Sequence, residues 1–305
     1  MTATLLLEQT LNGAQFGLML FLLAAGLTIV FGVMDMINLA HGALYMVGAF
    51  FSAWLVAATG HFLVGFLIAI VLTAVFGMLI ESTLLRTLYA RDHLSQVLAT
   101  FALILILNDG VEMVFGTDLP LSAPASLAGP VALPGGLVYP AWRLVIIGVG
   151  LALALALYLL VQKTKVGALV RAGASNREMS QVMGVNIARL FTLVFGLGAA
   201  LCAVAGGLLG PLLAVQVGMG EHILILAFVV IVIGGIGSIR GALIGSLLVG
   251  VVDTVGRTFL QQGLREVLPP QWASAAGPAL ASIAVYLLMA GVLVFKPQGL
   301  FPVRG

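Results

Sequence analysis

The chain has 305 residues, of which 62% are hydrophobic and 8% are charged, and its 13 Lys and Arg nearly balance 11 Asp and Glu. Soluble domains carry roughly 25% charged residues, so this composition cannot cover a water-facing surface and excludes a soluble globular protein. Ten-residue segments of alternating polarity, typical of membrane β-barrels, are also missing from the sequence. We therefore predict an all-α polytopic membrane protein.

Apolar stretches that approach the ~20 residues needed to cross a hydrocarbon core recur along the chain. They predict about nine transmembrane segments, with eight to ten compatible with the pattern and some of them broken or re-entrant. The predicted spans lie at 12–33, 40–58, 62–84, 94–115, 142–162, 189–213, 222–239, 241–260 and 277–296. Residues 1–305 are expected to form a single transmembrane domain.

A few polar side chains interrupt these stretches, and because they are costly in lipid they usually face protein or water. The candidates for a substrate pathway are Asn38 and His41 near the first turn, Asp109 in the fourth span, Gln216 before the seventh and Asp253 inside the eighth. For His41 a hydrogen-bonded structural role is the alternative. We identify no catalytic residue, and the scattered histidines give no support for a metal site.

The loop at 116–141 is rich in Pro, Gly and Ser and contains no Lys or Arg. If the spans alternate, ten positive residues collect on one side of the membrane, against Arg143, Arg257 and Arg265 on the other. Positive residues concentrate in cytoplasmic loops. The pattern therefore predicts that segment 163–188 and the C-terminus are cytoplasmic and that the loop at 116–141 is extracytoplasmic.

The basic segment 163–188 contains a short helix signal. Ser175 and Glu178 have the S-x-x-E spacing of a capping box, and Gly184 supplies a natural helix end. A helix of about eight residues is predicted between them. Met179, Val182 and Met183 would share one face of it, at positions i, i+3 and i+4.

Two interpretations of this amphipathic helix are open from the residues alone. It could be an ordinary positive loop whose apolar face packs on the bundle or on lipid. Alternatively, the apolar face could insert into the groove of a cytoplasmic partner.

Five glycines crowd the twelve residues of GGIGSIRGALIG at 234–245. Each glycine in a helix interior costs about 1 kcal/mol relative to Ala, so a continuous helix is disfavoured here. A tight turn with close packing of small residues is the favoured interpretation, and a broken helix that lines a cavity is the alternative.

Four motifs in this order resemble the LivH-type permease subunits of branched-chain amino acid ABC importers. The element NLAHG at 38–42 and the glycine element at 234–245 are similar to two signatures of that family. The segment at 166–186 is similar to its coupling loop, matched at Gly167, Arg171, Ala172 and Gly184, and FKPQGLF at 295–301 resembles its common ending.

The resemblance implies a permease subunit, not an enzyme, that forms half of the translocation pathway for branched-chain or other hydrophobic amino acids. It implies a plasma-membrane complex with a second homologous permease subunit, two cytoplasmic ATPase subunits and an extracytoplasmic solute-binding protein, and no nucleic acid. The residues implied in ATPase coupling are Gly167, Arg171, Ser175, Arg177, Glu178, Met179, Val182, Met183 and Gly184.

Energy coupling has to come from outside this chain if it is an ABC permease. The sequence has no G-x-x-x-x-G-K-[ST] phosphate cradle, so no nucleotide cofactor is expected in it, and ATP and Mg would be bound by the partner ATPases. The alternative is an ion-coupled secondary carrier for a small solute. Such a carrier would be expected to show paired intramembrane acids, whereas Asp253 is the one clear mid-span acid by sequence.

Overall fold

The computed structural model describes residues 3–36, 38–132 and 137–301, and within these ranges the chain forms eleven α-helices and four short strands. The helices are α1 Ala3–Met34, α2 His41–Thr59, α3 Phe62–Thr83, α4 His93–Phe115, α5 Ala141–Lys163, α6 Lys165–Ser175, α7 Arg177–Val182, α8 Ile187–Leu213, α9 Met219–Gly234, α10 Ile239–Arg265 and α11 Pro270–Phe295. The strands are β1 Asp118–Leu119, β2 Pro130–Ala132, β3 Val138–Pro140 and β4 Val215–Gln216.

Eight of these helices are long and apolar enough to cross a membrane. α9 is apolar but has only 16 residues, or about 24 Å of helix, which is less than a hydrocarbon core of about 30 Å. The expectation of about nine spans, some of them broken, is therefore confirmed as eight long helices and one short one.

The bundle has two chemically different ends. At one end, which we call the basic end, Tyr89 lies against Met34, Arg86 bonds to Thr192, and Arg240 reaches Tyr158. The described positive residues at this end are Arg86, Arg91, Lys163, Lys165, Arg171, Arg177, Arg189, Arg240 and Lys296. Arg304, which is expected on the same side, lies outside the described residues.

The opposite end, which we call the far end, carries the loop predicted at 116–141. Within it β2 pairs with β3, while β1 pairs with β4 from the α8–α9 connection. Tyr139 and Arg143 both donate to Asn12 Oδ1, at 2.8 and 2.7 Å, and so tie the loop to the start of α1. This loop therefore lies at the end of the bundle away from segment 163–188.

Glycines allow the central helices to approach closely. α1 runs antiparallel to α10, and a Cβ at Gly13 would lie 2.7 Å from Val251 Cα. A Cβ at Gly17 would lie 2.7 Å from the Ser246 carbonyl oxygen. Small residues permit such backbone contact without a hydrophobic driving force between helices in lipid. α1 and α8 are the most buried of the long helices and form the centre of the bundle.

α2 begins deep inside the bundle. The first residue of α2, His41, lies beside Gly26, which is eight residues before the end of α1 and therefore about 12 Å from the basic end. The irregular segment after α1 folds back to this depth. Asn38 Oδ1 accepts the backbone N–H of Ala40 at 3.1 Å and so closes the turn that starts the helix.

α9 begins at the same depth, but it runs the other way. A Cβ at Gly42 would lie 2.6 Å from the Gly220 carbonyl oxygen, so the first turns of α2 and α9 are in backbone contact. Residues 214–218, the strand β4 and a turn, connect α8 to this point, and the last N–H of this segment, that of Gly218, lies 3.4 Å from Met46 Sδ. From here α2 runs to the far end and α9 to the basic end.

The packing pattern of α1–α3 recurs in α8–α10 with inverted direction. α1 packs on α10 as α8 packs on α3, and α2 packs on α3 as α9 packs on α10. α2 also packs on α8 as α9 packs on α1. The chain therefore contains two inverted repeats, each with one helix that starts inside the bundle. This arrangement is found in many transporters.

Candidate functional site

The segment between α5 and α8 is built on a tight break after α5. The Thr164 hydroxyl caps α6 by accepting the N–H of Gly167 at 3.1 Å. A Cβ at Gly167 would overlap the carbonyl oxygens of Leu160 and Val161, so this position requires glycine. The Arg171 guanidinium donates to the Val161 carbonyl. Gly167 and Arg171 thus hold α6 against the end of α5.

The start of α7 differs from the sequence prediction by one residue. Ser175 is the last residue of α6, and the cap of α7 is Asn176, whose side chain accepts the N–H of Met179 at 2.8 Å. The capping box predicted on Ser175 is therefore wrong. Asn and Ser cap helices about equally well, so the S-x-x-E spacing alone could not decide between the two neighbours.

Gly184 ends α7 as predicted. It adopts a left-handed φ of 87°, and Val185 N–H bonds to the Ser180 carbonyl at 3.0 Å while Gly184 N–H bonds to the Gln181 carbonyl at 2.9 Å. These two bonds form a Schellman motif. With both ends fixed, α7 has six residues in place of the predicted eight or so.

The apolar face of α7 points away from the protein. The exposed fractions of Met179, Val182 and Met183 are 60%, 81% and 77%, whereas Ser180 is buried. The interpretation in which this face packs on the bundle is therefore wrong for this chain. We call these three side chains the docking face.

The other side of α7 is connected to the membrane helices through aromatic side chains. The Arg177 guanidinium lies over the Phe191 ring at 5.5 Å, and Tyr89 meets the same ring edge-on at 5.2 Å. Cation–π and aromatic pairs of this kind contribute about 0.5–1.5 kcal/mol each. A displacement of α7 would therefore also displace Phe191 on α8 and Tyr89 in the α3–α4 connection.

Tyr89 also reaches a buried carboxylate that sequence reasoning missed. Glu81, near the basic end of α3, is fully buried and accepts the Tyr89 hydroxyl at 2.6 Å and the Thr192 hydroxyl at 2.5 Å. Arg86 lies 3.3 Å away but is partly exposed. Burial and the Glu81 carboxylate raise the pKa of the Tyr89 phenol, so it stays a neutral donor. Asp253 is thus not the one acid inside a span: Glu81 was visible as an acid in the apolar run 62–84.

We expect Glu81→Ala to lower the free energy of unfolding by about 3 kcal/mol, because it leaves the Tyr89 and Thr192 hydroxyls without their acceptor. Tyr89→Phe should cost about 1 kcal/mol. Thermal unfolding of the purified protein in detergent measures both. The double variant should lose less unfolding free energy than the sum of the two single losses, by more than about 0.5 kcal/mol. A double loss equal to that sum would show that the two groups do not interact.

The glycine element at 234–245 forms a tight turn between α9 and α10. Gly235 and Gly237 have φ values of 100° and 83°, and Ser238 caps α10 by accepting the N–H of Gly241 at 3.1 Å. The tail motif joins it, because Leu300 and Phe301 donate their N–H groups to the last carbonyls of α9. Turn and packing, the favoured interpretation, is what the structure shows.

Among the described residues, no hydrogen bond joins any two of the five predicted pathway residues. Asn38 and His41 are fully buried at the start of α2, and His41 Nε2 lies 3.2 Å from Cys202 Sγ. This contact favours the structural role for His41. Asp109 and Gln216 are exposed, on α4 and on β4.

Asp253 lies apart from these four, toward the far end of α10. Its carboxylate is buried and accepts the Arg257 guanidinium at 2.8 Å. Contact of any of the five residues with a substrate stays a prediction.

Inverted repeats whose second helices begin inside the bundle, together with an apolar helix face exposed at the basic end, define the class as a multi-span transport permease. Residues 9–294 match the family described as "Branched-chain amino acid transport system / permease component". The chain belongs to this family.

Several named relatives can be aligned with most of this chain. The high-affinity branched-chain amino acid transport system permease protein BraD of Pseudomonas aeruginosa is 31% identical over 96% of this chain and 95% of its own length. LivH of Escherichia coli K12, a permease protein of the same description, is 32% identical over 86% of this chain and 89% of its own. The ribose import permease protein RbsC of Escherichia coli K12 is 26% identical over 76% of this chain and 72% of its own.

Proposed function

We propose that the chain is a transmembrane permease subunit of a binding-protein-dependent ABC importer. It forms half of the translocation pathway for branched-chain or other hydrophobic amino acids. The observation that carries this proposal is the docking face, three large apolar side chains exposed at the basic end of a chain that belongs to a permease family. Family membership also favours this function over an ion-coupled secondary carrier.

The coupling element is α7 with its supports. Met179, Val182 and Met183 enter a groove of an ATPase subunit, and Glu178 lies beside them at its rim, while Arg177 holds the inner side of α7 against Phe191 of α8. Exposed ion pairs contribute about 1 kcal/mol or less, so the apolar contacts dominate the affinity. Gly167, Arg171, Ser175 and Gly184 shape the segment without touching the partner.

The partners proposed here are those that membership of the permease family implies. Two cytoplasmic ATPase subunits bind ATP and Mg, a second homologous permease subunit completes the pathway, and an extracytoplasmic solute-binding protein delivers the solute at the far end. Within the complex Asn38, His41, Asp109, Gln216 and Asp253 are the candidates for lining the pathway, with His41 and Asp253 in supporting roles.

The basic end is cytoplasmic in this proposal, because positive residues are retained on that side. We expect Ser175→Cys to react with a membrane-impermeant thiol reagent only after cells are permeabilised. Ser126→Cys, in the far-end loop and equally exposed, is the matched control and should react in intact cells. The native Cys202 is buried and gives the background. Labelling of position 175 from outside would reverse the orientation.

Reconstitution tests the function itself. Liposomes that contain the chain with its permease partner and ATPases should take up leucine when the solute-binding protein and ATP are supplied. The isolated chain under a proton or sodium gradient should not. Uptake by the isolated chain with an ion gradient would establish the secondary carrier instead. Uptake of ribose but not leucine by the full assembly would correct the solute class.

A further inference from the structure

One outward surface of the bundle exposes a cluster of acids, whereas the exposed Arg257 of α10 is paired with Asp253. The sides of α3, α5 and α11 that are exposed through the membrane carry no charged side chain among the described residues, as the exposed Leu67, Leu155 and Ile283 illustrate. The surface formed by α4 and the start of α9 instead exposes ionisable groups. These are Asp109, Glu112, Glu221 and His222.

Glu221 and its hydrogen-bond partner Asn108 lie too deep to reach lipid headgroups. Gly220 is in backbone contact with Gly42, where α2 begins inside the bundle, and it lies 14 residues before the end of α9, so the neighbouring Glu221 also lies inside the bundle. Asn108 donates to Glu221 Oε1 at 2.9 Å, and it lies about 10 Å along α4 from the far end. Ionisable side chains at this depth face protein or a water-filled cavity, because hydrocarbon cannot solvate them.

The backbone gives a second, independent argument for the same surface. Residues 214–218, in which the short strand β4 is followed by a turn, lead from the far end to the start of α9, and Ala214 and Gln216 are exposed. Irregular backbone at membrane depth is tolerated only where it is buried in protein or lines a water-filled cavity. Lipid therefore cannot cover this surface either at its side chains or at its backbone.

We infer that the α4–α9 surface is the face that meets the second permease subunit, with the solute passing along its polar half. This inference rests on the proposed function. Below the acids the same surface turns apolar, with Leu105 on α4 and Ile225 on α9 exposed toward the basic end. The polar half then lines the water-filled part of the interface between the two permease subunits, and the apolar half packs against the partner.

The acidity of the surface favours a non-identical chain as the partner, because a second copy would make both walls of the water-filled half acidic. Asp109, Glu112 and Glu221 are acidic, and a twofold contact with a second copy would place these like charges opposite one another. Like-charge juxtaposition is strongly unfavourable at an interface. A homologous permease with neutral or basic side chains opposite them fits instead.

Photo-crosslinking in the complete complex, purified in nanodiscs, tests the inference. The photoreactive residue p-benzoylphenylalanine replaces Leu105 or Ile225 on the surface, and Leu67 or Ile283 as controls. The four positions are matched in exposure, at 49%, 49%, 53% and 50%. Mass spectrometry should identify the homologous permease at Leu105 and Ile225 at least ten times more often than at the controls.

Three results would overturn the inference: no permease adduct at Leu105 or Ile225, preferential capture of the permease at Leu67 or Ile283, or capture of a second copy of this chain. The same probe at Met183 separates this question from the proposed function. An ATPase adduct at Met183 with only lipid adducts at Leu105 and Ile225 rejects the α4–α9 surface alone. Absence of any ATPase adduct at Met183 rejects the docking role of α7.

Discussion

Changing Met179 and Val182 together to Asp should release the ATPase subunits and abolish transport, while the permease stays folded in the membrane. Both side chains are exposed, so the substitutions disturb no contact within the chain. Each large apolar side chain fully buried in the groove contributes about 1.5–3 kcal/mol. Losing two of them weakens docking by about a hundredfold or more, since 1.4 kcal/mol corresponds to a factor of ten.

Copurification of the ATPases with the tagged permease measures the effect, together with ATP-driven uptake in liposomes. The matched control places the same two charges off the docking face, as Ala174→Asp with Gln181→Asp, both at exposed positions. The control should keep its ATPases. If the Met179 and Val182 variant also retained them and stimulated their turnover normally, α7 would be an ordinary surface helix.

Gly220→Val should have the largest effect on stability, a loss of about 3 kcal/mol or more. A Cβ at Gly220 would overlap the carbonyl group of Gly42, and the reciprocal Cβ at Gly42 would lie 2.6 Å from the Gly220 carbonyl oxygen. Backbone atoms cannot rotate away as a side chain can. The substitution therefore has to push α2 and α9 apart at the point where both begin.

The matched control is a helical glycine with open space around it. No heavy atom lies within 4 Å of a Cβ built at Gly148 of α5, so Gly148→Ala should be neutral or stabilise by up to about 1 kcal/mol through helix propensity. Thermal unfolding in detergent compares the two variants. A Gly220→Val protein as stable as the Gly148→Ala protein would mean that α2 and α9 are not in contact.

Much of this fold was predictable because hydropathy reports span length directly. The loop at 116–141, the docking face and the Gly184 helix end followed from residue type and spacing. The depth at which α2 and α9 begin was not predictable, because an apolar run gives no sign of how far inside the bundle its helix starts. His41 lies inside the bundle for this reason, although it reads as a turn residue in the sequence.

Other misses depended on contacts between residues distant in the chain. Glu81 was visible as a single acid in an apolar run. Its structural role depends on the hydrogen bonds that it accepts from Tyr89 and Thr192, and Thr192 lies on another helix. The same holds for Asp109 and Glu221. Both are recognisable as acids in the sequence, but that they share one surface depends on how α4 and α9 lie in the folded chain. The cap of α7 was missed by one residue because Asn176 and Ser175 are equivalent candidates by type.

The meeting of α2 and α9 has a consequence for how the chain is made. α2 leaves the ribosome about 180 residues before its partner at Gly220, a contact of high sequence separation. At synthesis rates of about 5–20 residues per second, the start of α2 waits on the order of ten seconds or more. During that interval the start of α2 lacks the backbone of α9 that it packs against in the folded protein. Biogenesis of this bundle is therefore completed late, when the second repeat arrives to close the first.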